Sequence, residues 1–191
     1  MSSQLIAHIR KFISLSDEDA GLISTKVHTV KLKRRQYVLT AGQRCKANYF
    51  VLNGCMRLYF ISNKDTEQIT HFGLENWWIT DYDSLEKQQP SHFYIQAVEA
   101  SELVVLDQHT EQELLAKIPA LERYFRLILQ RAFTAAQRRM EYIYNMTDEE
   151  RYRFFVESFP AFNQRVPQYM VASYLGVTPQ FISRVRAKKQ P

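Results

Sequence analysis

The chain has 191 residues, enough for one large domain or two small ones, and its 46% hydrophobic and 24% charged content, with 5 Gly and 6 Pro, excludes a disordered or fibrous protein. No apolar run reaches the roughly 18–20 residues of a membrane helix, and the opening MSSQLIAHIRKF has no uncharged apolar core ahead of Arg10 and Lys11, so the reading is a cytoplasmic protein with neither a bilayer span nor a secretory signal. The net charge of +5 is concentrated: residues 161–191 hold Arg165, Arg184, Arg186, Lys188 and Lys189 and no acid, which points to a polyanionic partner, nucleic acid before membrane.

The first 24 residues read as helix. Leu5, Ile6, Ile9 and Ile13 recur at helical spacing, and Ser16 with Asp19 three residues on makes a capping box for a second short helix. From Thr25 to Leu106 the texture changes to short β-rich runs: VHTVKL, QYVLT, NYFVL, CMRLYFI, TEQITHF, FYIQAV and ELVVL. Seven such runs, each bounded by turn signals, predict an antiparallel barrel or sandwich. Asn53-Gly54 predicts a type I′ hairpin between NYFVL and CMRLYFI, and Ser62-Asn63-Lys64-Asp65 marks a second hairpin. The basic run Lys31–Arg35 reads as a solvated edge that blocks unwanted pairing.

After Asp107 the strand texture stops. Thr110 is expected to cap a short helix over EQELLAKI, and Pro119 to start a long helix that runs to about Asn145. Two apolar rows follow this helix. One is Leu121, Phe125, Ile128, Ala132 and Ala135; the other is Leu129, Phe133, Ala136, Met140 and Ile143. A helix packed on one surface needs one row, so two rows predict burial on two sides. The first row is assigned to the interface with a second copy of the chain, where Ala132 and Ala135 permit close approach. Thr147 followed by three acids starts a further helix that stops at Pro160. The expected organisation is a domain over 1–118, a dimerisation helix over 119–145 and a DNA-binding domain over 146–191.

The stretch from Gln168 to Ala187 meets the physical requirements of a helix-turn-helix. Ala172 is small where two helices must cross, and Gly176 suits a reversal at positive φ. Val171, Leu175, Val177, Ile182 and Val185 supply the inward apolar positions, and Thr178-Pro179 starts the second helix. Its outward face carries Gln180, Ser183 and Arg184, residue types that read base edges in a major groove. Arg186, Lys188, Lys189 and the Thr178 hydroxyl suit phosphates. The partner this predicts is double-stranded DNA.

A β-roll, a long helix, a short helix and a carboxy-terminal helix-turn-helix, in that order, resemble the Crp/Fnr superfamily of bacterial transcription regulators. The resemblance runs from about Ser24 to Lys189 and is most specific in VPQYMVASYLGVTPQFISRVRAKK, in the DEERY that opens the preceding helix, and in YFVLNGCMRLYF with its Gly54. It implies an α+β fold. An N-terminal antiparallel β-roll of cyclic-nucleotide-binding type with flanking helices precedes a long dimerisation helix and a winged-type helix-turn-helix. It further implies a homodimer whose recognition helices read a roughly palindromic site with half-site centres about one helical turn apart. RNA polymerase is a further candidate partner.

Members that bind cyclic nucleotides carry a Gly-Glu pair for the ribose and an Arg-Ser pair for the cyclic phosphate. Here Glu75 stands for the acid, although Leu74 separates it from Gly73, and counting back from FYIQA puts Ser91-His92 where Arg-Ser belongs. Phosphate then meets no guanidinium, leaving Lys87 or an unaligned Arg to reach in, so control by cyclic AMP is not expected. Trp77 and Trp78, with Glu75, Ser91 and His92, form the candidate effector pocket; the competing reading is that the aromatics fill a core. Cys45 and Cys55 are too few for an iron–sulfur cluster, and His8, His28, His71, His92 and His109 lack metal-ligand spacing. With no phosphate-cradling loop or nucleophile elbow, no enzyme, cofactor or metal is expected. The alternatives are a small-molecule-sensing β-roll that acts through protein contacts and an enzyme on a cupin-like barrel holding a metal.

Overall fold

Apolar spacing in the first residues builds α1 (Ser3–Arg10) and α2 (Asp17–Lys26), the second capped where Ser16 Oγ accepts the Asp19 N–H at 3.0 Å. The structure, a computed structural model, describes residues 2–187. Eight strands follow: β1 (His28–Leu32), β2 (Tyr37–Leu39), β3 (Ala47–Asn53), β4 (Met56–Ile61), β5 (Glu67–Gly73), β6 (Trp78–Ile79), β7 (Tyr94–Ala97) and β8 (Ser101–Asp107). They form two antiparallel sheets of four, in the orders β1-β8-β3-β6 and β2-β7-β4-β5. A short helix, α3 (Tyr82–Lys87), joins β6 to β7.

Strand β3 shows why a central strand carries a continuous apolar stretch, here Tyr49 to Leu52. Side chains alternate between faces, and both faces of β3 are covered. Ala47, Tyr49 and Val51 enter a core with Met56, Ile95, Leu103 and Val105, which fills the roll. Phe50 and Leu52 join Val104 and Leu106 of β8 in a second core shared with Leu5, Ile9 and Ile23 of the first two helices. Trp78 and Ile79 divide in the same way, Trp78 to the helical side and Ile79 to the interior.

The Ser62–Asp65 hairpin forms as expected: Ser62 N–H donates to Thr66 O at 2.9 Å, and Asp65 takes a positive φ of 54°. The Asn53-Gly54 hairpin does not. Strand β3 pairs with β6 and β8, β4 pairs with β7 and neighbours β5, and the turn carries the chain from one sheet to the other. Gly54 alone of the two has positive φ, at 97°. A Cβ there would sit 2.7 Å from Ala100 O and collide with Ser101 Oγ, so a close backbone approach, not a tight hairpin, requires this glycine.

Helix α4 (Gln108–Lys117) has Asp107 at its N-cap, three residues before the expected Thr110 cap. Helix α5 (Ala120–Asn145) follows Pro119 as predicted. The chain packs as two compact units, one of residues up to Phe60 with Thr70–Gln130, the other of Ile61–Ile69 with residues from Arg131 onward. This departs from the expected spans: the boundary falls within α5, between Gln130 and Arg131, and the β4–β5 hairpin tip packs with the second unit.

That unit adds α6 (Asp148–Ser158), α7 (Pro160–Arg165), α8 (Gln168–Leu175) and α9 (Pro179–Ala187). Thr147 and Glu150 cap α6 reciprocally, and Phe155 meets the rings of Phe162 and Tyr174 at 5.6 and 5.8 Å to form its centre. No strand follows β8 among the described residues, so the wing of the expected winged helix-turn-helix is not among them.

Candidate nucleic-acid interface

Helix α8 ends at Gly176, whose φ of 74° reverses the chain; a Cβ there would meet nothing within 4 Å, so its backbone angle rather than crowding calls for glycine. Thr178 Oγ1 accepts the Phe181 N–H at 3.1 Å, capping α9 where Pro179 occupies its first turn. Val171, Ala172, Leu175, Ile182 and Val185 are all buried, as the crossing of two helices demands. Their burial fixes which way α9 faces.

On the other side of α9, Gln180, Ser183, Arg184, Arg186 and Ala187 are exposed, and Thr178 is exposed beside them. Ser183 donates its hydroxyl proton to Pro179 O at 3.1 Å, which leaves its oxygen as an acceptor for an amino group on a base edge. Lys188 and Lys189, the remaining predicted phosphate ligands, lie outside the described residues.

Three residues of this unit, two of them bonded to α8, escape a reading based on outward chemistry. Arg139 of α5 donates to Tyr174 O at 2.6 Å and to Ile69 O at 3.2 Å, with its guanidinium 4.2 Å from the centre of the Tyr174 ring. Ser173 of α8 accepts the Ile69 N–H at 3.0 Å and donates to Glu67 O at 2.6 Å. Arg151, buried on α6, pairs with Asp148 at 2.5 Å and donates to Ile143 O. The one available sequence signal was a serine flanked by Ala172 and Tyr174, where a hydroxyl needs a partner.

The five residues of the expected effector pocket do not line one cavity. Glu75 accepts the Gly54 N–H at 3.0 Å, anchoring the inter-sheet turn. Trp77 is exposed beside His71, while Trp78 faces the helices and donates to Tyr124 Oη at 2.7 Å. Ser91 is buried and donates to Asp81 at 2.6 Å; His92 is exposed. The reason is alternation: successive residues such as Trp77 and Trp78 project to different sides of the chain.

The first apolar row of α5, expected at an interface with a second copy, divides instead between core and surface. Leu121 is buried in the core of the first unit, and Phe125 and Ile128 pack against it. Ala132 and Ala135 of the same row are exposed. The second row presents the larger apolar surface: Leu129, Phe133 (65% exposed), Met140 (55%) and Ile143 are open.

The family model described as "Cyclic nucleotide-binding domain" matches residues 29–117. The chain is 26% identical over 173 residues to the fumarate and nitrate reduction regulatory protein of Yersinia pestis, covering 83% of this chain and 67% of that protein. It is 24% identical to the anaerobic regulatory protein of Haemophilus influenzae, covering 93% of this chain and 73% of that one. Among solved structures, a c-di-GMP-responsive global regulator from Xanthomonas campestris shares the fold with a TM-score of 0.76 at 14% identity over 92% of both chains. FixK2 from Bradyrhizobium japonicum does so with a TM-score of 0.73 at 15% identity, over 85% of this chain and 83% of that one.

Proposed function

We propose that the chain is a transcription regulator of the Crp/Fnr type, which its relatives and its fold resemble, and that it binds specific DNA sequences as a homodimer, reading the major groove with α9. The observation that carries this reading is the division of α9 into a buried side, Ile182 and Val185, and an exposed side bearing Gln180, Ser183 and Arg184. Arg184 offers two parallel donors to guanine, and Gln180 a donor and an acceptor to adenine. Arg186, the Thr178 hydroxyl and the basic residues Lys188 and Lys189 hold phosphates. The exposed row on α5, Leu129, Phe133, Met140 and Ile143, supplies the apolar face on which a second copy packs. The protein acts in the cytoplasm and catalyses no reaction.

Cyclic AMP does not control it. Ser91, at the position the family uses for the cyclic phosphate, gives its proton to the Asp81 carboxylate, which repels a phosphate. Glu75, at the position for the ribose, is committed to the Gly54 N–H.

Selection of duplexes from a random pool, followed by titration of wild type and Arg184→Ala at two salt concentrations, tests the reading. Wild type should enrich one palindromic sequence, and Arg184→Ala should lose about 1–3 kcal/mol on that sequence with little loss on random DNA. Equal binding of both proteins to all duplexes would refute the assignment of α9 as reader. Enrichment of no sequence would favour a sensor that acts through protein contacts.

A further inference from the structure

The second unit contains both halves of what a dimeric reader needs: the exposed apolar row of α5 from Phe133 to Ile143, and the helix pair α8–α9. What joins them bears on function, because the separation of two readers sets which half-site spacing a dimer accepts. Helix α9 is nine residues long, roughly 13 Å, so turning it by about 15° around its start displaces its far end by about one base-pair rise of 3.4 Å. A loosely held pair would accept several spacings.

Arg139 lies on α5 between Phe133 and Ile143 but is half-buried, on the inward side. Its guanidinium reaches the Tyr174 carbonyl, one residue before the end of α8, and stacks on the Tyr174 ring. That carbonyl is one of the last four of its helix, which no intrahelical N–H satisfies, and a cation complements the helix end. The same guanidinium holds Ile69 O at the hairpin tip. One residue earlier on α8, Ser173 closes the arrangement from the other side, accepting the N–H of Ile69 and donating to Glu67 O. Four hydrogen bonds therefore tie the dimer helix, the β4–β5 tip and the end of α8 at a point two residues from the Gly176 turn.

We infer that Arg139 and Ser173 are positioning residues that set the pitch of α9 relative to the dimer helix, so that the β4–β5 tip acts as a wedge determining half-site spacing. The inference rests on the reading that α9 binds DNA from a dimer. Neither residue touches a base. Their effect appears in the geometry of the pair of readers, not in the chemistry of either.

The test uses the full chain and duplexes carrying the selected half-sites at the cognate spacing and at spacings one and two base pairs longer or shorter. A duplex with a single half-site is included. Wild type should prefer the cognate spacing by about tenfold or more, and Arg139→Gln and Ser173→Ala should each cut that preference to about threefold or less. Single half-site affinity should fall by less than about threefold, and the circular dichroism and dimer mass should be unchanged. Variants that keep the wild-type spacing profile would overturn the inference. So would variants whose half-site affinity drops as far as their cognate affinity, because that marks a reader that no longer folds. A wild type with no selective DNA binding removes the underlying reading and this inference with it, a pattern distinct from both.

Discussion

Glu111 of α4 is an acid in an apolar setting. It borders a cavity of about 10 Å³ lined by Leu5, Ile9, Ile23, Trp78, Leu114 and Leu121, room for about one water. Its Oε2 is buried without a hydrogen-bond partner among the described residues. Burial, reinforced by the negative charge of Glu122, lifts its carboxyl to about 7 from the usual 4.5. Because the folded state favours the protonated form, this residue's contribution to stability is complete below pH 4.5 and is lost as pH rises through 7. Glu111→Gln keeps the shape and removes the charge. Denaturant unfolding should show the wild type losing about 1–3 kcal/mol relative to the variant between pH 4.5 and pH 8. Parallel pH profiles would exclude an ionising group at this position. Nothing in the local sequence QHTEQELLAK distinguishes this acid from Glu113, which pairs with Lys26 at the surface, because the apolar lining comes from five other elements of the chain.

At the scale of elements, α5 shows how far pattern goes. Its length, its start after Pro119 and its two apolar rows are all legible from 3.6-residue spacing. Which row faces which surface is not, because spacing gives relative angles and no absolute direction. The first core fixes that direction by taking Leu121, Phe125 and Ile128. The Asn53-Gly54 turn fails for a related reason. The dipeptide reports a local reversal, while β3 pairs with β8 across roughly fifty to sixty positions of the chain and β4 with β7 across roughly forty. The exposed row yields a prediction about assembly. Phe133→Glu puts a charge on the most exposed side chain of that row and should raise the dimer dissociation constant at least tenfold, about 1.4 kcal/mol or more, as read by sedimentation equilibrium. The same mass distribution for variant and wild type would place the dimer contact elsewhere.

For the whole molecule, order along the chain carried the most information. Helices, then short strands, then a long helix and a terminal helix pair specify the architecture even though one turn, one cap and one apolar row are placed differently in the structure. The helix pair α8–α9 was legible because a helix-turn-helix is short and its constraints are local: Ala172, Gly176, Ile182 and Val185 lie within fourteen residues. The supports Arg139 and Ser173 were not, since their partners at Glu67 and Ile69 belong to a strand far earlier in sequence. The supposed pocket was not either, because proximity in sequence between Trp77 and Trp78 means opposite directions in space.

Both cysteines are buried, so Ala187→Cys would place a single accessible thiol at the end of α9 for a DNA-cleaving iron chelate. On the selected duplex, the conjugate should cut in two clusters facing the same side of the helix, centred about 34 Å apart. Cleavage spread evenly along the duplex, or none at protein concentrations that saturate it, would contradict the claim that paired α9 helices lie in successive major grooves.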